Sequence, residues 1–339
     1  MVKEEIRLRS VIMHICDSTT GEPVLSDELL DCGSELQDFI KEHIANIFGG
    51  DDCKRCEFYR QESEIYKLLE NYDDADFISI SKDIAGYLYH IMNSNIDIPA
   101  GDLFVVRFVS DSLEYLGILK MNYKAMYTHR SHPSGDFMVN EIIRHKTLLP
   151  AEGQKLAEAA IIRLTDLAVW CVEKKAEING KKEEYFSELF LKCSTKLSNK
   201  RKLALVSKAI ESVNNDAYEE ERRFEPQMQA KAKINQMLEK NGGFVVEELG
   251  DVVFADRQDL RTAFQDKMEK YNMVKEEVLP QSEATTRKYG KQCIITDSGI
   301  EIKIPMDQYE NTQNVVFETN PDGTVTLTIR NIGNISARF

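Results

Sequence analysis

Three stretches decide the fold: Leu103–Asp111 (LFVVRFVSD), Tyr115–Tyr123 (YLGILKMNY) and Asp136–Arg144 (DFMVNEIIR). Each is rich in β-branched and aromatic residues and either alternates at period two or runs apolar without a break. That pattern predicts meandering antiparallel strands. The run AAIIRL (159–164) and the segment Leu167–Val172, around the single Trp170, extend the same sheet.

Upstream, Ile6–Ile15 predicts an opening strand ended by the turn-rich DSTTGEP. Ser34–Phe48 places Leu36, Phe39, Ile40, Ile44, Ile47 and Phe48 on one stripe, and Gly49–Gly50 stops it, as an amphipathic helix requires. A second helix is expected over Asp74–Asn93, where Phe77, Ile80, Ile84, Leu88 and Ile91 recur at three and four.

Downstream, helical spacing returns in Glu183–Cys193, Lys200–Val213, Tyr218–Lys240 and Asp256–Tyr271, with a break at Asn241–Gly243. The C-terminal part reverts to strands. Asp297–Gly299 and Pro321–Gly323 supply the turns of two hairpins. The chain of 339 residues is long for one core. The reading is an α+β protein: an N-terminal domain over 1–176 with an antiparallel sheet and amphipathic helices, then a C-terminal domain over 177–339, helical over 177–272 and ending in β-hairpins over 290–332.

Bulk composition excludes several classes. Hydrophobic content of 42% with 29% charged residues fits a folded chain. The apolar runs fall well short of the roughly 20 residues needed to span a bilayer, and the opening MVKEEIRLRS carries acids where a signal peptide has none, so a cytoplasmic protein without a membrane partner is expected. Seven scattered cysteines predict reduced thiols.

The net charge is −14, and it is unevenly placed. Residues 1–150 hold 15 basic and 26 acidic groups, net −11; residues 151–225 hold 14 of each; residues 226–339 hold 14 and 17, net −3. An acidic N-terminal half repels DNA, which leaves any nucleic-acid contact to the rest. Within that remainder, Leu189–Ile210 carries Lys192, Lys196, Lys200, Arg201, Lys202 and Lys208 and no acid. If Lys200–Val213 is a helix, Lys196, Lys200, Arg201 and Lys202 gather at its N-terminal end, where backbone N–H groups and the macrodipole also attract phosphate. Leu203, Val206 and Ile210 then face the core. The alternative is a solvated basic face paired with acids elsewhere.

The strings VLSDELLDCGSELQDFIKEHIANIF, DFISISKDIAGYLYHIMNSNIDIPAGDLFVVRF, LEYLGILKMNYKAMYTH and LLPAEGQKLAEAAIIRLTDL, with the C-terminal pair CIITDSGIEIKIP and TVTLTIRNIG, resemble the bacterial nucleoid-associated protein family of the NdpA (YejK) type over nearly the whole chain. The resemblance implies association with the compacted chromosome, by double-stranded DNA backbone contact without a base-specific code or through nucleoid proteins such as a topoisomerase. It implies no catalytic or metal motif and no cofactor, and it assigns no DNA-contacting residue. A homo-oligomer is compatible with it. No helix-turn-helix or finger signature for base readout is present in the sequence.

Other motifs are weaker. Arg287, Lys288 and Lys291 surround Tyr289, a pattern that serves stacking on single-stranded bases or a soluble loop. Cys53–Cys56 is a lone CxxC; a four-ligand zinc site needs a second pair, which His129 and His132 supply only if the fold brings them there. Glu301 and Lys303 in GIEIKIP, with Asp297 nearby, copy the carboxylate-x-lysine element of metal-dependent nucleases, and equally the polar face of a half-buried strand. The function expected is therefore a non-enzymatic nucleoid protein. A protein-interaction module and a metal-dependent nuclease are the alternatives.

Overall fold

A computed structural model describes residues 1–178, 180–320, 323–334 and 336. It divides into two compact units, Met1–Ser198 and Asn199–Phe339.

The first unit holds strands β1 (Arg7–Cys16), β2 (Lys54–Phe58), β3 (Gly101–Ser110), β4 (Leu113–Asn122), β5 (Lys124–Ser134), β6 (Phe137–Leu148), β7 (Glu158–Arg163), β8 (Val169–Glu173), β9 (Ala176–Ile178), β10 (Lys181–Glu183) and β11 (Cys193–Thr195). Its helices are α1 (Ser34–Phe48), α2 (Glu64–Glu70) and α3 (Phe77–Ser94). Among the described residues, seven strands form one antiparallel sheet in the order β1-β3-β4-β7-β8-β2-β11. Asp111 and Ser112, with φ of 48° and 63°, make the tight turn that pairs β3 with β4.

The unbroken apolar run of β3 has a plain cause. Leu103 and Val105 enter a core shared with Ile84, Leu88 and Met92 of α3, whereas Phe104, Val106 and Phe108 enter another shared with Ile40, Ile44 and Ile47 of α1. Both faces of the sheet are covered, so both rows of side chains are apolar from Leu103 to Val106. β5 and β6 depart from the expected meander: among the described residues they pair only with each other, as a ribbon outside the seven-stranded sheet.

Two further expectations shift. The helix expected over Glu183–Cys193 is a π-helical turn at Phe186–Leu191. The division between units falls at Ser198–Asn199 instead of after residue 176. The reason is packing: Phe186, Phe190 and Leu191 fill the core beneath α3, and β11 pairs with β2 at the sheet edge.

The second unit comprises α4 (Asn199–Ala217), α5 (Phe224–Asn241), β12 (Phe244–Val245), α6 (Val246–Val253), α7 (Gln258–Glu269), β13 (Glu277–Val278), α8 (Glu283–Tyr289), β14 (Lys291–Ile295), β15 (Glu301–Pro305), α9 (Met306–Tyr309), β16 (Val315–Thr319) and β17 (Val325–Ile329). Leu203, Val206 and Ile210 of α4 face inward, as expected, and share a core with Leu249, Phe264 and Met268. The break after α5 needs its glycines. Gly242 has φ +70° and closes the helix on the Leu238 carbonyl, and a Cβ on Gly243 would lie 2.3 Å from the Val278 carbonyl oxygen. β14–β15 and β16–β17 are the two C-terminal hairpins; Pro321 and Asp322 of the second turn lie outside the described residues. Among the described residues, no helix is long and apolar enough to cross a membrane.

Candidate nucleic-acid interface

The six cations of the basic stretch fall into both units. In the first, Lys192 is half-buried at a left-handed position, φ 52°, and its carbonyl accepts the Tyr59 amide at 2.9 Å. Lys196 is exposed; its amide donates to the Arg55 carbonyl at 2.9 Å and its side chain lines a groove of about 500 Å³. Arg55 and Arg60 line the same groove, with Glu57 and Asp166 opposing them. Arg55 lies over the Trp170 ring at 5.8 Å and Arg60 over Tyr66 at 5.6 Å, which fixes both guanidinium planes. Asp166 is held by Arg163 at 2.7 and 2.5 Å, and this hydrogen bonding keeps its carboxyl below the usual range.

In the second unit, Lys200 and Arg201 occupy the first turn of α4, and Lys208 stands two turns further along. All three are exposed. Their spacing, with Ala204 and Glu211, follows one outward stripe opposite Leu203, Val206 and Ile210. The ammonium of Lys202 sits 2.6 Å from Glu276 and donates to the Glu277 carbonyl at 2.9 Å, tying α4 to β13. Asn199 adds to that tie through both atoms of its amide, which bond the Leu279 carbonyl and amide at 2.6 and 3.2 Å.

A group that sequence reasoning missed lies elsewhere in this unit. Lys231, from the middle of α5, is partly buried, and burial lowers its pKa; Lys288 and Lys291 push it the same way. Ser207, Glu211, Gln227, Lys231, Lys288 and Tyr289 line a groove of about 280 Å³. Lys231 stands 57 places before Lys288, so no local window shows the cluster. Tyr289 itself is no stacking platform. Its ring is buried in the core and its hydroxyl lies 3.1 Å from Ser207 Oγ. Arg287 is paired with Glu283 at 2.6 Å, a helix-surface i,i+4 pair.

The metal and nuclease motifs come apart. Cys56 enters the α3-side core with Cys171 and Cys193, while Cys53 packs on the α1 side. His129 and His132 lie on opposite faces of the β5–β6 ribbon, given the two-residue period of a strand. Among the described residues no His, Cys, Asp and Glu side chains form a group of three able to hold a metal ion. Glu301 is bound to Lys303 at 3.0 Å on the exposed side of β15, and Asp297 accepts the Ser298 amide at 2.8 Å within the turn. The carboxylates are engaged locally rather than aimed at a common point.

The fold and these patches define a class: an α+β protein of two units, acidic as a whole, whose cations gather locally on grooves and one helix stripe. A family model for the nucleoid-associated protein YejK matches residues 12–335, and the chain belongs to that family. Among curated proteins, none matches the chain.

Proposed function

We propose that this chain is a non-enzymatic cytoplasmic protein that associates with the nucleoid by contacting the DNA backbone, without base specificity, through its second unit. The observation that carries this reading is the placing of Lys231 and Lys288 on one groove, with Lys291 near enough to act on Lys231, in a chain of net charge −14. Like charges held together in this way raise the local potential, and a phosphate relieves it. The α4 stripe of Lys200, Arg201 and Lys208 extends the cationic surface from the wall of that groove, since Ser207 and Glu211 of α4 line it. Lys202, bound to Glu276, also ties α4 to the rest of the second unit.

The test is a titration of duplex DNA against salt. If about four to six phosphates are neutralised, log affinity falls with a slope of roughly −4 to −5 per log salt. Exchanging Lys200, Arg201 and Lys208 for glutamate is expected to flatten that slope by about three. An unchanged slope removes the stripe from the mechanism.

A second reading has its own support in the net −11 of residues 1–150, which suits a basic protein partner such as a chromosome-bound topoisomerase. Absence of DNA retardation at low salt, with a chromosomal protein retained on the purified chain, selects it. Incubation of the full chain with DNA and Mg²⁺ or Mn²⁺ is expected to leave the DNA intact. Cleavage that disappears in Glu301→Ala reverses the non-enzymatic assignment.

A further inference from the structure

β5 and β6 are 11 and 12 residues long, and no position of either is buried. Their Gly135–Asp136 turn puts glycine at φ +62°, as a two-residue hairpin turn of this hand requires. Met126, Tyr127, Phe137, Met138 and Ile142 are each more than half exposed, from 57% to 77%. The strand register distributes them over both faces: Tyr127, Met138 and Ile142 lie on one, Met126 and Phe137 on the other. A two-stranded ribbon with neither face covered is marginal in water, and a contiguous apolar patch of this kind marks an interaction surface.

Charge and composition say what covers it. The ribbon carries Lys124, Arg130, Arg144 and Lys146 against Asp136 and Glu141, net +2. Residues 1–123 of the same chain hold 11 basic and 24 acidic groups, net −13. A basic arm on an acidic body is complementary to another copy of that body. The side chains agree: exposed aromatic residues, methionine and arginine are those enriched at protein–protein interfaces, and four cations spread over two faces are few for a duplex. The 23 strand residues also match the ~20–30 residues per side of a standard interface. The arm stays ordered through its own cross-strand contacts: Arg144 over the Tyr127 ring at 5.9 Å and Arg130 with Glu141 at 3.7 Å.

We propose that the β5–β6 ribbon is a dimerisation arm that lies on the first unit of a second copy of this chain, each copy giving its arm and receiving the other's, as two-fold symmetry requires. This stands apart from the DNA contact in the second unit, and its test contains no DNA. The mass of the full chain in solution is measured by sedimentation or light scattering at tens of micromolar, for the natural protein and for Met138→Asp/Ile142→Asp. The expected result is twice the 38.9 kDa chain mass for the natural protein and a single chain for the variant, which keeps the natural protein's secondary-structure content because both positions are exposed in the single chain. A photo-crosslinker in place of Tyr127 is expected to join two chains. A natural protein of single-chain mass at that concentration overturns the arm, as does a variant that remains dimeric. So does a crosslinker at that position that joins no two chains.

Discussion

Replacing Glu158 by alanine is expected to destabilise the first unit by about 3–5 kcal/mol, the cost of leaving one charge of a buried pair without its partner. Lys120 of β4 is fully buried in the sheet; its ammonium donates to the Pro99 carbonyl at 2.8 Å and to Asn122, and lies 3.8 Å from Glu158 Oε2. Asn122 completes the arrangement by donating to the same carboxylate oxygen at 2.7 Å. Burial pushes the Lys120 pKa down, and Glu158 opposes that push. Without the carboxylate, Lys120 must deprotonate or remain a naked charge, and the Asn122 amide loses its acceptor. For a unit of this size, the loss lowers the unfolding midpoint by roughly 6–20 °C. The pair Lys120→Met/Glu158→Leu is expected to recover most of it, because apolar side chains of similar volume need no partner. A loss below about 1 kcal/mol in Glu158→Ala, measured by urea unfolding, rules out a charged Lys120 in the folded sheet.

Acid is expected to weaken the same unit through His14. This residue of β1 is buried against α3, with its Nε2 3.0 Å from Ser81 Oγ and its Nδ1 accepting the Ser26 amide at 3.1 Å. An accepting Nδ1 fixes the neutral tautomer, with the proton on Nε2 directed at the serine. A second proton would face the Ser26 N–H. Burial, reinforced by nearby Lys82, lowers the His14 pKa from 6.5 to about 4. Between those values the unfolded chain binds a proton that the folded chain refuses, so stability is complete above pH 6.5 and falls as the pH drops towards 4. At one pKa unit per 1.36 kcal/mol, the loss is about 3 kcal/mol. Unfolding free energies at neutral pH and near the lower value, compared between the natural chain and His14→Gln, isolate this part. An equal fall in both proteins places the acid sensitivity elsewhere.

What the sequence makes legible follows from how locally each feature is encoded. The bounds of α1 are read off directly, since the apolar stripe and Gly49 lie within one window. The helix now seen as α3 starts three residues later than its pattern suggests, because Asp73 caps a short 3-10 turn at Asp74–Asp76 through the Ala75 amide. β2 and α2 escape notice: KRCEF is too polar and α2 too short to carry a period. The ribbon is half-legible. DFMVNEIIR reads as a strand, but its partner KAMYTHRSHPS alternates in no consistent way, because neither face of the ribbon is buried in the single chain.

The candidate site is legible in the same uneven manner. Residues adjacent in sequence, such as Lys200 and Arg201, announce themselves by charge alone. That Lys202, between them and the core, is paired with Glu276 depends on a residue more than 70 positions away. Lys231 reaches Lys288 and Lys291, and Arg55 and Arg60 reach Lys196, only through tertiary packing.

The two-sided burial of β3 makes neighbouring residues independent reporters. Val105 and Val106 are consecutive, yet one senses the layer under α3 and the other the layer under α1. Truncating each to alanine in turn, and following amide exchange in both layers, distinguishes a sheet that loosens on one side from one that opens as a whole.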